Sequence, residues 1–266
     1  MLKIAFVTSI YIFCFGYISS FVPSIKLQFS NLKSTVPRHP IVLSSQNDPS
    51  SDQERNLRLQ VAELGSTLKG TNVYFVGMMG TGKSSVARGM ADRLGPYTFI
   101  DTDAVIEQLL KAPISEAFEE VGEAEFRRIE SQVLNELHSY VKLIVATGGG
   151  IVEDKKNWSK LHSGLVVWLD MPMEELSQRL MSDEKEMWKR PLLKNSDPKV
   201  KLEEIFEKRK EMYEQADVCV KIGLNDSVDE VVLSTTLKLK EFIEANPPKW
   251  QEWKEDAKVA GIQWLQ

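Results

Sequence analysis

A glycine-rich loop carries the clearest chemical signal in this sequence. Residues 77–85 read Gly-Met-Met-Gly-Thr-Gly-Lys-Ser-Ser, directly after the apolar run 73–76 and at the start of the helix-like segment 84–94. A strand, a glycine loop and a helix in this order form the context in which proteins bind phosphate groups. The glycines let successive backbone N–H groups turn toward an anion, and the helix adds the positive end of its dipole. We therefore predict a nucleotide-phosphate site here, rather than a glycine turn without a ligand.

Charged and hydroxyl side chains in and near this loop indicate phosphoryl-transfer chemistry. Lys83 is expected to reach the β- and γ-phosphates, and the hydroxyl of Ser84 to hold Mg²⁺. Asp101 and Asp103 end the next apolar run, where one acid can serve Mg²⁺ and a second an acceptor hydroxyl. The alternative for Asp103 is capping of the helix that is predicted to begin at Ala104.

Three further motifs are expected near the same edge of the fold. Residues 148–150 are three glycines after an apolar run, which favours a ligand lying against bare backbone over a tight turn. Arg127 and Arg128, with acids three residues away, would alone be read as an exposed helical charge pair. The run Trp-Lys-Arg-Pro-Leu-Leu around Arg190 follows the polar, glycine-free stretch 182–186, which we interpret as a mobile flap.

The composition describes a soluble globular protein with room for one ordinary domain and appendages. The chain has 266 residues, of which 42% are hydrophobic and 27% charged. Its net charge of −5 argues against a broad nucleic-acid interface. With 3 His and no clustered Cys/His spacing, the sequence also argues against a structural zinc site.

Apolar runs and helical patterns alternate from residue 71 onward. Strands are predicted at 73–76, 97–101, 143–147, 165–170 and 217–222. Helices are predicted at 57–68, 84–94, 104–110, 114–121, 123–140, 173–181, 199–215 and 228–245. Short apolar strands separated by helices predict an α/β fold with a parallel sheet covered on both faces. Ligands of such sheets bind at the carboxyl ends of the strands, where the motifs above fall.

The N-terminal segment has the features of a targeting leader. Residues 1–20 carry one basic residue, Lys3, then an apolar stretch and two small serines. This pattern predicts a secretory signal peptide, although an uncleaved anchor remains an alternative. Residues 21–56 begin with Phe21, are rich in Ser and contain no acid before Asp48. We interpret them as a transit peptide that ends in a disordered linker.

A signal peptide followed by such a segment resembles the two-part plastid leaders of algae with secondary plastids. The expected location is therefore the plastid, with no membrane attachment once the leader is removed. Residues 57–245 are then the folded domain. Residues 246–266 form a Trp-containing extension, which would pack on the domain or dock a partner.

Five ordered motifs together resemble shikimate kinase. They are the glycine loop, Asp-Thr-Asp, Gly-Glu-x-x-Phe-Arg, Ala-Thr-Gly-Gly-Gly and Arg-Pro-Leu-Leu, followed by a late Arg and Tyr. The resemblance extends over about residues 71–222. It implies a P-loop NTPase-like three-layer α/β/α fold, similar to nucleoside monophosphate kinases, with a mobile lid. It also implies that ATP and Mg²⁺ serve the transfer of a phosphoryl group to shikimate.

The resemblance assigns a role to each matched residue. Lys83, Asp103 and Arg190 would be catalytic, and Ser84 and Asp101 would serve the metal. The nucleotide would contact Gly77, Gly80, Thr81, Gly82, Lys83, Ser84, Ser85, Arg179 and Arg190. Shikimate would contact Asp103, Arg127, Gly148, Gly149, Gly150 and Arg209, with the two arginines on its carboxylate.

Three alternatives to this function remain open. A gluconate-type kinase would phosphorylate a different hydroxy acid, but it does not account for Arg127, Arg209 and the glycine triplet together. An inactive kinase-like module would bind or regulate, although loss of Lys83, Asp103 or Arg127 would be its sign, and all three are present. A nucleotide-dependent switch would leave the substrate-side motifs unused. For the oligomeric state, we favour a monomer.

Overall fold

The computed structural model describes residues 49–182, 193 and 197–247. A sheet of 5 parallel strands forms its centre, in the order β2-β3-β1-β4-β5. The strands are β1 Val73–Val76, β2 Thr98–Asp101, β3 Leu143–Ala146, β4 Leu165–Asp170 and β5 Val218–Lys221. The predicted α/β architecture with a parallel central sheet is thereby confirmed.

The strands are joined by helices, as parallel connections require. The helices are α1 Pro49–Leu68, α2 Lys83–Leu94, α3 Thr102–Leu110, α4 Ile114–Val121, α5 Glu123–Leu137, α6 Lys155–Leu161, α7 Met173–Met181, α8 Pro198–Tyr213 and α9 Val228–Ala245, with a 3₁₀ turn at Ile151–Glu153. Among the described helices, none is long and apolar enough to cross a bilayer.

The structure differs from the sequence prediction most in two regions, besides shifts of one to three residues at the ends of other elements. Helix α1 begins at Pro49, so residues 49–56, which we interpreted as disordered linker, are helical. The 3₁₀ turn and α6 were not predicted, because Ile151–Leu161 holds Asp, Asn and Lys without a long apolar period. Arg190, the predicted leader up to residue 48, all of the predicted flap at 182–186 except Ser182, and most of the C-terminal extension lie outside the described residues.

The order of the strands follows from their apolar content. All four residues of β1 and of β3 are buried, as expected for inner strands of a sheet covered on both faces. Strand β1 pairs in parallel with β3 on one side and β4 on the other. The chain therefore leaves β1 at the point where the strand order reverses, which is where open α/β sheets bind ligands.

Helix α1 lies before the first strand and packs against α9 and α2. Its apolar stripe of Leu57, Val61, Leu64 and Leu68 is buried. The Arg93 guanidinium on α2 donates to Glu54 of α1 and to Asp229 of α9, at 2.9 Å in both cases. An apolar stripe and a shared cation thus join α1 to the domain.

Replacing Leu64, which is fully buried, with Ala should therefore lower the free energy of unfolding by about 2–5 kcal/mol. Leu59→Ala is the matched control on the same helix, because Leu59 is 63% exposed, and it should change stability by less than about 0.5 kcal/mol. Urea unfolding followed by circular dichroism measures both. Equal, small effects would show that α1 is not part of the cooperative unit.

Candidate active site

The loop after β1 needs glycine for steric reasons. Gly77 has φ +140°, and a Cβ there would lie 2.5 Å from the carbonyl oxygen of Leu169. Gly80 has φ +86°, and its Cβ would lie 2.8 Å from a methyl carbon of Leu180. Residues with a side chain rarely adopt such dihedrals and would collide with β4 or α7. Because these positions carry no side chain, the backbone of the loop can lie close to a ligand.

Lys83 folds back over this loop. Its Nζ donates to the carbonyl oxygens of Gly77 at 3.0 Å and Met78 at 2.9 Å, and the side chain is buried. Helix α2 begins at Lys83, and Ser84 and Ser85 are exposed in its first turn. A lysine, a helix N-terminus and free hydroxyls in one loop make a site for a polyphosphate.

Two more residues were predicted on the nucleotide side. Arg179 of α7 lies beside the loop, with Nη2 3.8 Å from the position that a Cβ on Gly82 would take. The structure thus brings Arg179 to the predicted place. Arg190 lies outside the described residues, and its position stays a prediction.

The carboxylates of the two aspartates at the end of β2 contact different parts of the structure. Asp101 is the N-cap of α3, and its Oδ1 accepts from the backbone N–H groups of Asp103 and Ala104. The capping alternative for Asp103 was therefore wrong, because the helix begins at Thr102. The carboxylate of Asp103 turns instead to the glycine triplet, where Oδ1 lies 2.8 Å from the Cβ position of Gly148.

Arg127 lies under the third glycine of the triplet. Its Nη1 donates to Glu130 at 2.7 Å and its Nη2 to exposed Glu123 at 3.2 Å. A Cβ on Gly150 would overlap the guanidinium. Burial lowers the pKa of Arg127, but the carboxylates of Glu130, Glu153 and Glu123 together outweigh that effect, and the pKa is raised overall. The reading of Arg127 as an exposed surface charge was wrong, because only 20% of its side chain is exposed.

Arg209 of α8 approaches the triplet from the other side. It is only 2% exposed, and its Nε and Nη2 donate to Glu153 at 2.8 and 2.6 Å. Its Nη1 lies 3.3 Å from the Cβ position of Gly149. The Tyr213 hydroxyl, one turn further along α8, donates to the carbonyl oxygen of Gly149 at 3.1 Å.

Gly149 joins the two halves of the site. The position of its Cβ lies 3.7 Å from the Gly77 carbonyl oxygen and 3.8 Å from the Met79 nitrogen of the phosphate loop. Thr147, just before the triplet, donates to the Phe75 carbonyl from both its backbone nitrogen and its hydroxyl. The triplet therefore lies against the phosphate loop, with Arg209 on its other side.

Two arginines beside the glycine triplet have buried N–H groups that can donate to a ligand. Arg127 Nε and Arg209 Nη1 are buried without a hydrogen-bond partner among the described residues. Buried N–H groups are normally paired, and those of a cation are the most costly to leave unpaired. A cavity of about 450 Å³ lies beside Arg127, Gly150 and Glu153, but its lining does not include Arg209 or the phosphate loop. The unpaired nitrogens, rather than this cavity, therefore indicate a site for a small organic acid.

The donor set also fits Mg²⁺. It comprises the Ser84 hydroxyl and the Asp101 carboxylate, which are hard oxygen ligands. Among the described residues, no three His, Cys, Asp or Glu side chains group as a metal site. Mg²⁺ is commonly held by one or two protein oxygens together with substrate phosphates and water, so a sparse donor set suits it.

Four residues contact the functional groups of the site, a role that was not predicted for them from the sequence. They are Thr102, Glu130, Glu153 and Tyr213. Thr102 accepts from the Gly148 nitrogen at 2.9 Å, which holds the triplet to the end of β2. Glu130 could have been found, since it lies three residues after Arg127 on one helix face. Glu153 could not, because it pairs with a residue 56 positions away.

Known proteins resemble this chain in sequence and in architecture. The family model for shikimate kinase matches residues 79–240. A shikimate kinase of Nostoc sp. is 48% identical over 168 residues, which cover 63% of this chain and 90% of that protein. One of Synechococcus sp. is 43% identical over 192 residues, covering 72% of this chain and 97% of that protein.

A solved structure agrees with these sequence matches. Shikimate kinase from Acinetobacter baumannii in complex with shikimate superposes with a TM-score of 0.61 at 33% sequence identity, covering 70% of this chain and 99% of that one. The match in sequence spans most of the phosphate loop, the glycine triplet and both buried arginines. The chain belongs to the shikimate kinase family.

Proposed function

We propose that this protein transfers the γ-phosphoryl group of ATP to the 3-hydroxyl of shikimate, giving shikimate 3-phosphate and ADP for aromatic amino-acid synthesis. One observation carries the proposal. Gly149 lies between the phosphate loop and Arg209 Nη1, so a small acid held by the arginines would lie next to the phosphates. Phosphoryl transfer depends mainly on such positioning and on neutralisation of charge.

Each side chain has a physical task in this reaction. Arg127 and Arg209 would bind the carboxylate of shikimate through their unpaired nitrogens, since guanidinium matches carboxylate geometry. Asp103 would accept a hydrogen bond, and then the proton, from the attacking hydroxyl. Lys83 would leave the loop carbonyls for the phosphates, where it neutralises developing charge. Arg190 would act on the same phosphates.

Mg²⁺ is part of the same proposal. Ser84 would hold it directly, and Asp101 would serve from its second carboxylate oxygen, because Oδ1 is used by the helix cap. When bound, Mg²⁺ neutralises phosphate charge. Arg179, beside Gly82, would contact the nucleotide.

The rival functions explain less of the site. In a gluconate-type kinase, the two buried arginines around the glycine triplet would have no assigned role. An inactive module is disfavoured because Lys83, Asp103 and Arg127 are all present, with Lys83 on the phosphate loop and the other two beside the glycine triplet.

Plastid delivery also remains our proposal. It is supported by the composition of residues 1–48, which are basic, rich in Ser and led by an apolar stretch. A fluorescent protein fused to residues 1–56 should enter the plastid of an alga with a secondary plastid. Retention in the secretory pathway would contradict it. We propose a monomer, which light scattering would test.

An ADP-release assay tests the reaction. The purified protein receives ATP, Mg²⁺ and, in separate runs, shikimate, gluconate or no acceptor. We expect turnover with shikimate alone. Turnover with gluconate alone would change the assignment to the gluconate-type kinase. If a folded protein that binds ATP shows no turnover with any acceptor, the inactive module would be favoured.

Two substitutions separate the two halves of the site. Lys83→Met should lower kcat by about 10²–10³-fold, because a phosphate-neutralising group is lost. Arg127→Ala should raise the KM for shikimate by about 10–100-fold, as expected when a hydrogen bond to a charged group is removed, and leave the KM for ATP within about twofold. Equal losses of nucleotide binding in both variants would contradict these roles.

Gly150→Ala tests the contact between the triplet and Arg127. Gly150 has φ −91° and ψ −6°, a conformation that does not require glycine, and the three atoms nearest to an added Cβ all belong to the Arg127 guanidinium. The substitution should therefore act mainly by displacing that group. We expect a rise of about tenfold or more in the KM for shikimate, with ATP binding unchanged in titration calorimetry. An unchanged KM would mean that Arg127 does not need its present position.

A further inference from the structure

Glu153 holds one edge of the Arg209 guanidinium. Its Oε1 accepts from both Nε at 2.8 Å and Nη2 at 2.6 Å, and its Oε2 accepts from exposed Lys208 at 3.1 Å. The Arg209 side chain is 2% exposed and that of Glu153 19% exposed, so the pair is largely shielded from water. Bonds to two nitrogens of one guanidinium fix its rotation as well as its position.

The free nitrogen of Arg209 points to the substrate side. Nη1 is buried, has no partner among the described residues, and lies 3.3 Å from the Cβ position of Gly149. Glu153 therefore occupies the edge that faces away from the triplet and leaves Nη1 for a ligand. Arg127 repeats this pattern, because Glu130 accepts from its Nη1 while its Nε has no partner in the part of the chain that the structure describes.

We infer that Glu153 is a positioning residue for substrate recognition: it orients Arg209 so that Nη1 meets the carboxylate of the acid that is phosphorylated. This inference rests on the proposed function. Without Glu153, the buried Arg209 cation would lose its hydrogen-bonded carboxylate and would turn toward water or other acceptors. The binding of each substrate molecule would then have to reorder Arg209, which weakens binding.

Glu153 remains charged while it does this. Burial raises the pKa of its carboxyl, but Arg209, Lys208 and Arg127 outweigh that effect, and the pKa is lowered overall. A charged Glu153 could also act in the opposite way, by competing with the substrate carboxylate for Arg209. The two roles predict opposite signs for the same variant, since removal of a competitor would tighten substrate binding.

Steady-state kinetics of Glu153→Ala and Glu153→Gln test the inference. We expect the alanine variant to raise the KM for shikimate by about tenfold or more, with kcat less affected and the KM for ATP within about twofold. The glutamine variant should recover part of the loss, because its amide oxygen still accepts from the guanidinium. A lower or unchanged KM for shikimate in both variants would overturn the inference.

A neutral substrate separates positioning from general damage. The carboxamide of shikimate lacks the charge that Arg209 recognises, so the wild type should prefer shikimate by kcat/KM. In Glu153→Ala this preference should fall by about tenfold. Equal losses for both compounds would mean that Glu153 supports only the fold, and would overturn the inference. If the alanine variant does not fold, the glutamine variant decides by the same ratio.

Two controls complete the experiment. Glu207→Ala changes an exposed glutamate on the helix that carries Arg209 and should leave every constant within about twofold. Lys208→Ala should also have little effect, because Lys208 is 66% exposed. A wild type without shikimate turnover would refute the proposed function itself, whereas an active wild type with unaffected Glu153 variants would refute only the role of Glu153.

Discussion

The parallel pairing of β1 with β3 places the phosphate loop and the glycine triplet side by side. Tyr74 pairs with Val145 and Phe75 with Ala146, so both strands end at the same edge of the sheet. Thr147 then binds the Phe75 carbonyl twice, which fixes the start of the triplet. Because these contacts are made by buried backbone, the distance between the two half-sites is set by the fold rather than by mobile side chains.

Buried charge is the cost of this arrangement, and carboxylates offset it. Arg127 and Arg209 both leave water on folding, which is unfavourable unless each cation has a well-placed partner. Glu130 and Glu153 supply that partner at 2.7 and 2.6 Å, yet neither uses all of the guanidinium nitrogens. In the proposed function, the remaining nitrogens would be preorganised for the incoming acid, so the substrate would not have to order them.

Local patterns in the sequence predicted the fold and the phosphate loop, because strand, turn and helix signals all lie within residues 73–94. They failed at one helix boundary and where residues distant in sequence determine the contacts. Asp101, not Asp103, caps α3, since the helix begins two residues earlier than its apolar period suggests. Arg127 is enclosed by residues that are distant from it in the sequence. Glu153 meets Arg209 across 56 residues, a pairing that no local spacing reveals.

A crystal structure of the protein with shikimate and ADP would test the central claim, that one bound acid is held between the two arginines and the phosphate loop. We predict the carboxylate within hydrogen-bond distance of Arg127 and Arg209, a ring hydroxyl on Asp103, and the ring against Gly149. A shikimate molecule that contacts neither arginine, or that lies remote from the phosphate loop, would contradict the account.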